Sequence, residues 1–370
     1  MQKSLITILG AGAAGIGMAA TLKRFGITDF QVIDKGQVGQ SFRQWSPYTH
    51  FISPSFNTAG FGFPDLNAVT PDTSPGMFLQ SEHPSGPAFA AYLQAIADEL
   101  QLPVICGEEI YHISYQDGYY HLTGKKDSYQ SPYLILALGD YAFPYDGGIE
   151  NAYLGIHYSQ LGDYQHLTEA QTYSIIGGNE AAFDTAIALA RRGYRSTIYT
   201  DRSAIDSQSY DPSQGLSLYT KHRYQQFAAA IEIKRGVRIQ AIQKKGPLFT
   251  LISQDGSHFD SPTAPILATG FAAVKSPLIQ DLFELDGTRP VLNEWDESTL
   301  LPDLFMVGPQ VQHQNVILCY IYKYRQRFAV LAEEIARRQG LDLNQGQVQH
   351  YKDNQMYLAD LSCCGTDCFC

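Results

Sequence analysis

The 370-residue chain carries 37 acidic and 26 basic side chains, which gives a net charge of -11 at neutral pH. Proteins that bind nucleic acid usually carry a basic face, so this balance argues against a nucleic-acid partner. The length predicts two domains, and 44% hydrophobic residues suit a globular protein. No run approaches the roughly 20 unbroken apolar residues that cross a bilayer, so we expect a cytoplasmic protein without membrane contact.

The first motif is a glycine-rich turn between a strand and a helix. The apolar run SLITIL leads into GAGAAG, where Gly10, Gly12 and Gly15 fall in GxGxxG register, and a helical pattern follows. The next apolar run, FQVID, ends in Asp34. Such glycines permit a tight turn and the approach of a diphosphate to the helix N-terminus, and the acid can bind a ribose. The segment predicts a dinucleotide-binding fold.

A second strand, turn and helix of the same kind occurs in the middle of the chain. The run TYSII leads into Gly177, Gly178 and Asn179, then into a helix ending near Arg192, and STIYT is the next predicted strand. Ala182 stands where a third glycine would be. Two such folds suit a flavoprotein in which one fold holds FAD and the other brings a nicotinamide to it.

The end of the strand STIYT bears on the choice of nicotinamide. Asp201 favours an unphosphorylated ribose, whereas Arg202 can pair with a 2′-phosphate. We expect NADPH with Arg202 as its contact, and NADH is the other possibility. An exposed turn arginine without a ligand is the alternative interpretation of Arg202.

Three further apolar runs each end in a small residue and a glycine: YLILALGD, APILATGF and LPDLFMVGP. Such endings let the chain pass close to a nucleotide and cross to the other domain. They add to the expected cofactor contacts Ala137, Gly139, Gly270, Gly308 and Pro309. A long helix is expected from Asn315 to Gln339, with its N-terminus facing the flavin.

These motifs indicate an α/β protein with two Rossmann-like dinucleotide-binding domains. The segment from Gln40 to Gly86 is dense in proline, glycine, serine, threonine and phenylalanine, so we expect a long ordered loop near the flavin. The expected parts are a discontinuous FAD-binding domain, residues 1–143 and 272–345, an inserted nicotinamide-binding domain, residues 150–270, and a C-terminal extension, residues 346–370.

Together, GAGAAG, VIDKGQVGQSFRQW, IIGGNEAAFD, ILATGF and LFMVGP resemble the flavin-containing monooxygenase-like branch of flavoproteins with two dinucleotide-binding folds. The resemblance extends from Ile6 to about Arg338. It implies bound FAD, reduction by NADPH and electron transfer to dioxygen for oxygenation of a small nucleophilic substrate. By position it implies FAD contacts at Gly10, Gly12, Gly15, Asp34, Lys35, Gln40, Ser41 and Trp45, and NADPH contacts at Gly177, Gly178, Asn179 and Glu180.

Few catalytic side chains are expected, because a flavin carries the reactive chemistry and the protein supplies position and exclusion of water. Asn179 is the candidate for orienting the nicotinamide. His157 and His83 are candidates for the substrate side, with a solvated loop histidine as the alternative for both. His157 lies in YLGIHYSQLGDY, which departs from the monooxygenase pattern FxGxxxHxxxY/F because the histidine follows Gly155 too closely.

A reductase directed at disulfides or metals is the rival function. Such enzymes usually place a cysteine pair beside the flavin, and the sequence shows no such pair. Cys106 stands alone in a predicted strand, and Cys319, within the apolar run VILCYIY, is expected to be a buried core thiol. A flavin-binding regulatory protein that turns over slowly is a third possibility.

The last residues, LSCCGTDCFC, contain four thiols, Cys363, Cys364, Cys368 and Cys370. LSCC resembles the C-terminal cysteine pair of mercuric reductases, which implies a soft metal ion or a thiol as partner. Redox or soft-metal handling, a structural disulfide or zinc knot, and an incidental tail all stay open. A homodimer is expected from the family resemblance.

Overall fold

The computed structural model describes residues 1–56, 63–165, 167, 172–202, 215–273, 276–314 and 316–362. The strands are β1 Gln2–Lys3, β2 Ile6–Leu9, β3 Phe30–Asp34, β4 Val104–Cys106, β5 Ile110–Gln116, β6 Tyr119–Gly124, β7 Ser128–Ser131, β8 Tyr133–Leu136, β9 Ile156–His157, β10 Thr172–Ile176, β11 Arg195–Thr200, β12 Ile231–Arg235, β13 Ile239–Lys245, β14 Leu248–Ser253, β15 His258–Ser261, β16 Ile266–Leu267, β17 Leu285–Asp286, β18 Arg289–Pro290, β19 Leu304–Met306, β20 Gln312–His313 and β21 Val316–Ile317. The helices are α1 Ala13–Phe25, α2 Gln40–Arg43, α3 Pro75–Leu79, α4 Gly86–Glu99, α5 Glu180–Arg191, α6 Leu218–Phe227, α7 Ile321–Tyr324, α8 Gln326–Gln339 and α9 Gln345–Asp353.

Two five-stranded sheets, in which every strand pair is parallel, carry the fold. Their strand orders are β19-β8-β2-β3-β4 and β12-β11-β10-β16-β9. Strands β2 and β8 are buried along their whole length, as a parallel sheet covered on both faces requires. The predicted α/β class with two Rossmann-like folds is confirmed.

The chain builds the same plan twice. In the first half, residues 1–143 and 276–358, β2, α1, β3 and β4 precede an antiparallel meander of β5, β6 and β7, and β8 then returns beside β2. In the second half, residues 150–270, β10, α5, β11 and β12 precede the meander of β13, β14 and β15, and β16 returns beside β10. Each half therefore has its topological switch point beside a glycine turn, where α/β sheets bind ligands.

A glycine crosses the end of the returning strand in each half. Gly10 has φ +113° and Gly177 has φ +127°, in the region that L side chains rarely adopt. A Cβ atom on Gly10 would collide with the carbonyl oxygen of Ala137. A Cβ atom on Gly177 would collide with the carbonyl oxygen of Ala268. The first glycine of each turn is thus required by packing.

The long helix expected from Asn315 to Gln339 is shorter and divided. Residues before Ile321 form the antiparallel pair β20 and β21, so helix begins with α7. Helix α8 follows after Arg325, which is 4% exposed and donates to the carbonyl oxygen of Ala68 at 2.7 Å. Arg325 also donates to the carbonyl of Asp65, so its buried guanidinium fixes the loop that precedes α3.

The expected C-terminal extension belongs in part to the first half. The Asn344 amide donates to the carbonyl of Phe25, and the rings of Phe25 and Tyr351 pack edge to face at 5.2 Å. Val348, Tyr351 and Met356 are part of the same hydrophobic core as β2 and α1. Across the described ranges, no helix combines the length and apolar character needed to cross a membrane.

We predict that Gly177→Ala destabilises the protein more than Gly193→Ala. Both glycines have positive φ, but only at Gly177 would a new Cβ collide with backbone. The backbone strain alone costs about 1–2 kcal/mol, and the collision adds about 1–3 kcal/mol. Denaturant unfolding of both variants measures the difference, and equal losses of stability would contradict the crossing argument.

Candidate functional site

A cavity of about 1310 Å³ lies where residues of both glycine turns face each other. It is bordered by the carboxyl ends of β2 and β3, the loop after β8, the segment from α2 to Ser53, and the N-terminal turn of α5. Sequence-predicted residues in its wall are Gly10, Gly12, Asp34, Lys35, Gln40, Ser41, Trp45, Ala137, Gly139, Asn179, Glu180 and Pro309.

Other predicted residues lie behind or beside this wall. Gly15 packs against Gly10, and Gly178 packs against the Thr200 side chain, so both allow close packing. Residues of the predicted set that do not line the cavity are Gly15, His83, His157, Gly177, Gly178, Arg202, Gly270 and Gly308. Cys363, Cys364, Cys368 and Cys370 fall outside the described residues, and the part of the chain that is described contains no cluster of His, Cys, Asp and Glu arranged to hold a metal ion.

The first glycine turn leaves room for a dinucleotide. A Cβ on Gly12 would meet no atom of the described residues within 4 Å, although Gly12 lies at the N-terminus of α1 in the cavity wall. Asp34 accepts from the amides of Ala11 and Gly36, each at 2.7 Å, which fixes its carboxylate at the end of β3. Burial raises the pKa of Asp34, and these two hydrogen bonds oppose the shift.

The second turn presents polar side chains instead. Asn179 takes the place that Gly12 has in the first turn, as the residue preceding the helix, and its buried Oδ1 has no hydrogen-bond partner among the described residues. Glu180 is turned toward α6, where it accepts from the Ser217 amide and, at 2.6 Å, from the Thr220 hydroxyl. The side-chain Oδ1 of Asn179 is therefore available to accept from a ligand, whereas the Glu180 carboxylate is already hydrogen-bonded to residues at the start of α6.

His157 has a structural position. It is 5% exposed, its Nδ1 lies 2.8 Å from Ser159 Oγ, and its Nε2 lies 3.0 Å from the carbonyl oxygen of Gly270. Burial lowers the pKa of His157, which favours a neutral ring between these partners. The ring joins the linker to the end of the second sheet and does not reach the cavity, so the predicted substrate contact receives no support.

A polar seam holds the two halves together beside the cavity. Thr49 of the first half donates to Asp184 of α5 at 2.8 Å, and Arg223 binds the other oxygen of Asp184 at 2.8 Å. The ring of His83, predicted to line the substrate side, stacks on Tyr219 of α6 with centroids 3.8 Å apart. His83 and the expected loop after Gln40 therefore connect the halves.

Sequence reasoning missed two groups in the cavity wall. Cys319, predicted to be a core thiol, is half-buried and lines the cavity just before α7. Asp140, directly after Gly139, also lines it, and burial raises the pKa of this carboxyl to about 6. An acid following a glycine at the carboxyl end of a parallel strand was the available signal for Asp140. No comparable sequence pattern marks Cys319.

A sequence family match decides the broader identity. Residues 7–308 match the family described as pyridine nucleotide-disulphide oxidoreductase. The chain belongs to this family. Its members and structural relatives are FAD- and NAD(P)H-dependent oxidoreductases, so the expected enzyme class and cofactors are confirmed.

Relatives of this pyridine nucleotide-disulphide oxidoreductase include both predicted kinds of flavoenzyme. Bacilliredoxin reductase Bdr of Bacillus subtilis is 23% identical, over 90% of this chain and 97% of its own length. The structure of bacillithiol disulfide reductase Bdr from Staphylococcus aureus superposes with a TM-score of 0.73 at 20% identity, covering 91% of this chain and 99% of that one. A flavin-containing monooxygenase from Stenotrophomonas maltophilia gives 0.68 at 13% identity, with coverage of 91% and 99%.

The residues fit the two cofactors of the family. Gly12 leaves space for a diphosphate, and Asp34 stands at the strand end where a ribose is bound in such folds. The unpartnered Oδ1 of Asn179 can accept from a ligand amide in the second half. FAD would be held by the first turn and the nicotinamide cofactor by the second.

We predict that Gly12→Val weakens flavin binding without unfolding the protein. The φ of Gly12 is -79°, which any residue adopts, and a side chain there would enter only the cavity. FAD affinity should fall by at least about tenfold, or about 1.4 kcal/mol. Flavin absorbance of the purified protein and titration with FAD measure this.

The matched control is Gly346→Val, in the first turn of α9, which does not line the cavity. It should keep its flavin. A Gly12→Val protein that retains wild-type FAD affinity would show that the first turn does not bind the diphosphate.

Proposed function

We propose that this chain is an NAD(P)H-dependent flavoenzyme that reduces a small disulfide, with Cys319 as the thiol that reacts with it. The observation that carries the proposal is the position of Cys319 in the cavity wall that also contains both nucleotide turns. Disulfide reduction needs a sulfur nucleophile beside the electron donor. Relatives named for bacilliredoxin and bacillithiol disulfide reduction support the substrate class.

Each part of the chain has a role in this reaction. Bound FAD supplies a two-electron carrier between the nicotinamide and the substrate. Gly12 and Asp34 hold the dinucleotide, and Asn179 orients the nicotinamide. Aromatic side chains of the wall exclude water from the cavity, among them Phe42, Trp45, Tyr141, Tyr158, Phe271, Tyr320 and Tyr324.

The thiol chemistry starts at Cys319. Its thiolate attacks one sulfur of the substrate disulfide, which gives a mixed disulfide and releases the other sulfur as a thiolate. Two electrons supplied by NAD(P)H would then reduce the mixed disulfide and restore Cys319. NADPH is the proposed donor, and Arg202, which follows β11, is the residue proposed to distinguish it from NADH. The backbone amide of Arg202 donates to Thr200 Oγ1 at 3.2 Å, which fixes the backbone at this position.

We predict that Cys319→Ser selectively removes disulfide reduction. The ratio of disulfide reduction to ferricyanide reduction should fall by at least about 100-fold, because ferricyanide takes electrons without a sulfur nucleophile. NADPH oxidation with each acceptor gives the ratio. Low-molecular-weight disulfides of several thiols should be compared as substrates.

Two further variants make the result specific. Cys106→Ser, at the exposed end of β4, should leave the ratio unchanged. A chain ending at Ser362 tests whether the four terminal cysteines exchange electrons or bind a soft metal. If Cys319→Ser retains the wild-type ratio and the shortened chain loses it, the tail is the thiol partner and Cys319 is not.

A second candidate is oxygenation of a small soft nucleophile. It is favoured by the aromatic cavity wall and by the absence of a cysteine pair from that wall within the described residues. A water-poor site protects oxygen chemistry from uncoupled release of peroxide. The monooxygenase of similar fold supports this candidate.

We predict for this candidate that a correct substrate lowers the hydrogen peroxide formed per NADPH oxidised. With isotopically labelled dioxygen, one labelled oxygen atom should then appear in the product. Oxygenation would be excluded as the main reaction by two results together. Peroxide would form in the same amount as NADPH is oxidised with every sulfide and amine tested, and disulfides would be reduced rapidly.

A further inference from the structure

The carboxyl group of Asp140 occupies an unusual position in the cavity wall. Its Oδ1 is inaccessible to solvent and has no hydrogen-bond partner in the described part of the chain. Asp140 has no ion-pair partner among the described residues, although the charge of the Arg289 guanidinium on β18 lowers its pKa and so opposes the effect of burial. A buried carboxylate without a partner is costly, so the environment favours the protonated form.

The groups that face Asp140 come from three other elements. Burial raises the pKa of Tyr324 on α7 and of Tyr158 after β9, and the charge of Asp140 raises both further. Arg289 is the cation that opposes the burial of Asp140. Two neutral phenols and one remote cation leave the carboxyl able to bind a proton near physiological pH.

Cys319 shares this corner of the cavity. The hydroxyl of Tyr324 lies within electrostatic range of both Asp140 and Cys319. All three side chains belong to residues that line the cavity. The sulfur nucleophile of the proposed function and a buried acid therefore line the same cavity.

We propose that Asp140 delivers the proton to the sulfur that leaves a disulfide attacked by Cys319. This inference rests on the proposed function. The Cys319 thiolate forms a bond to one substrate sulfur, the S–S bond breaks, and its electron pair goes to the departing sulfur. Asp140 transfers its proton to that sulfur, which leaves as a thiol, and the ionised carboxylate takes a proton from solvent.

Protons and electrons balance over one full catalytic cycle. The two electrons and the proton of the hydride from NAD(P)H convert the mixed disulfide to the Cys319 thiolate and a second product thiol. One disulfide, one NAD(P)H and one proton give two thiols and NAD(P)+. The proton taken from solvent is the one that passes through Asp140.

The side chain of Asp140 is not needed for the local turn. The turn is closed by the Asp140 carbonyl, which accepts from the Phe143 amide, and the side-chain Oδ1 accepts from no amide of the described residues. Asp140→Asn therefore preserves shape and removes the proton. The matched control is Asp146→Asn, an exposed carboxylate in the following turn that accepts from the Gly148 amide at 2.9 Å.

The first test measures disulfide reduction relative to ferricyanide reduction in the FAD-loaded protein, because ferricyanide needs no proton. Asp140→Asn should lower this ratio by about 100-fold, the lower end of what a positioned acid contributes, and Asp146→Asn should not lower it. Equal ratios for the two variants would overturn the proposal.

The second test does not depend on turnover. Iodoacetamide labelling of Cys319 is followed against pH by mass spectrometry of its peptide. Above about pH 6 the ionised Asp140 disfavours a nearby thiolate, so Asp140→Asn should label faster than wild type there and equally below about pH 5. Identical profiles would place Asp140 away from the thiol and sink the proposal.

Failure of the proposed function gives a different pattern. If Cys319→Ser keeps its disulfide activity, Cys319 is not the nucleophile. The labelling profile would still show whether Asp140 and Cys319 interact. Faster labelling in Asp140→Asn with unchanged disulfide turnover would leave the pair electrostatically coupled and refute proton delivery.

Discussion

The architecture depends on two backbone crossings at which a side chain cannot be accommodated. Gly10 passes against the carbonyl of Ala137, and Gly177 passes against that of Ala268. Each crossing fixes the distance between a glycine turn and a returning strand, and so places one helix N-terminus at the edge of one sheet. The cavity exists because these two edges face each other.

The contents of the cavity follow from how the halves meet. The first half contributes an open glycine and an acid already anchored by two amides, whereas the second contributes an asparagine with an unused oxygen. Thr49, Asp184 and Arg223 join the halves, and the stacked rings of His83 and Tyr219 continue this seam. The two turns thus share a plan but offer different chemistry.

Sequence alone could predict the duplicated fold and most of the predicted residues in the cavity wall. Each strand, turn and helix of the motif is adjacent in the chain, and the glycines are required by the turn itself. Sequence could not place Cys319, since an apolar run such as VILCYIY fits a core strand or a cavity wall equally well. His157 looked like a site residue, yet both ring nitrogens have structural partners. Arg325, between α7 and α8, contacts a loop more than 250 positions earlier, a relation that no local pattern contains.

The chain has two tryptophans, and their environments differ. Trp45 lies in the cavity wall and its ring is 5.1 Å from that of Phe51, whereas Trp295 packs against the first core and does not line the cavity. Flavins absorb where indoles emit, so occupancy of the cavity by a flavin should quench the emission of Trp45 in its wall. The fluorescence of Trp45 is thus an intrinsic reporter of flavin binding in the cavity.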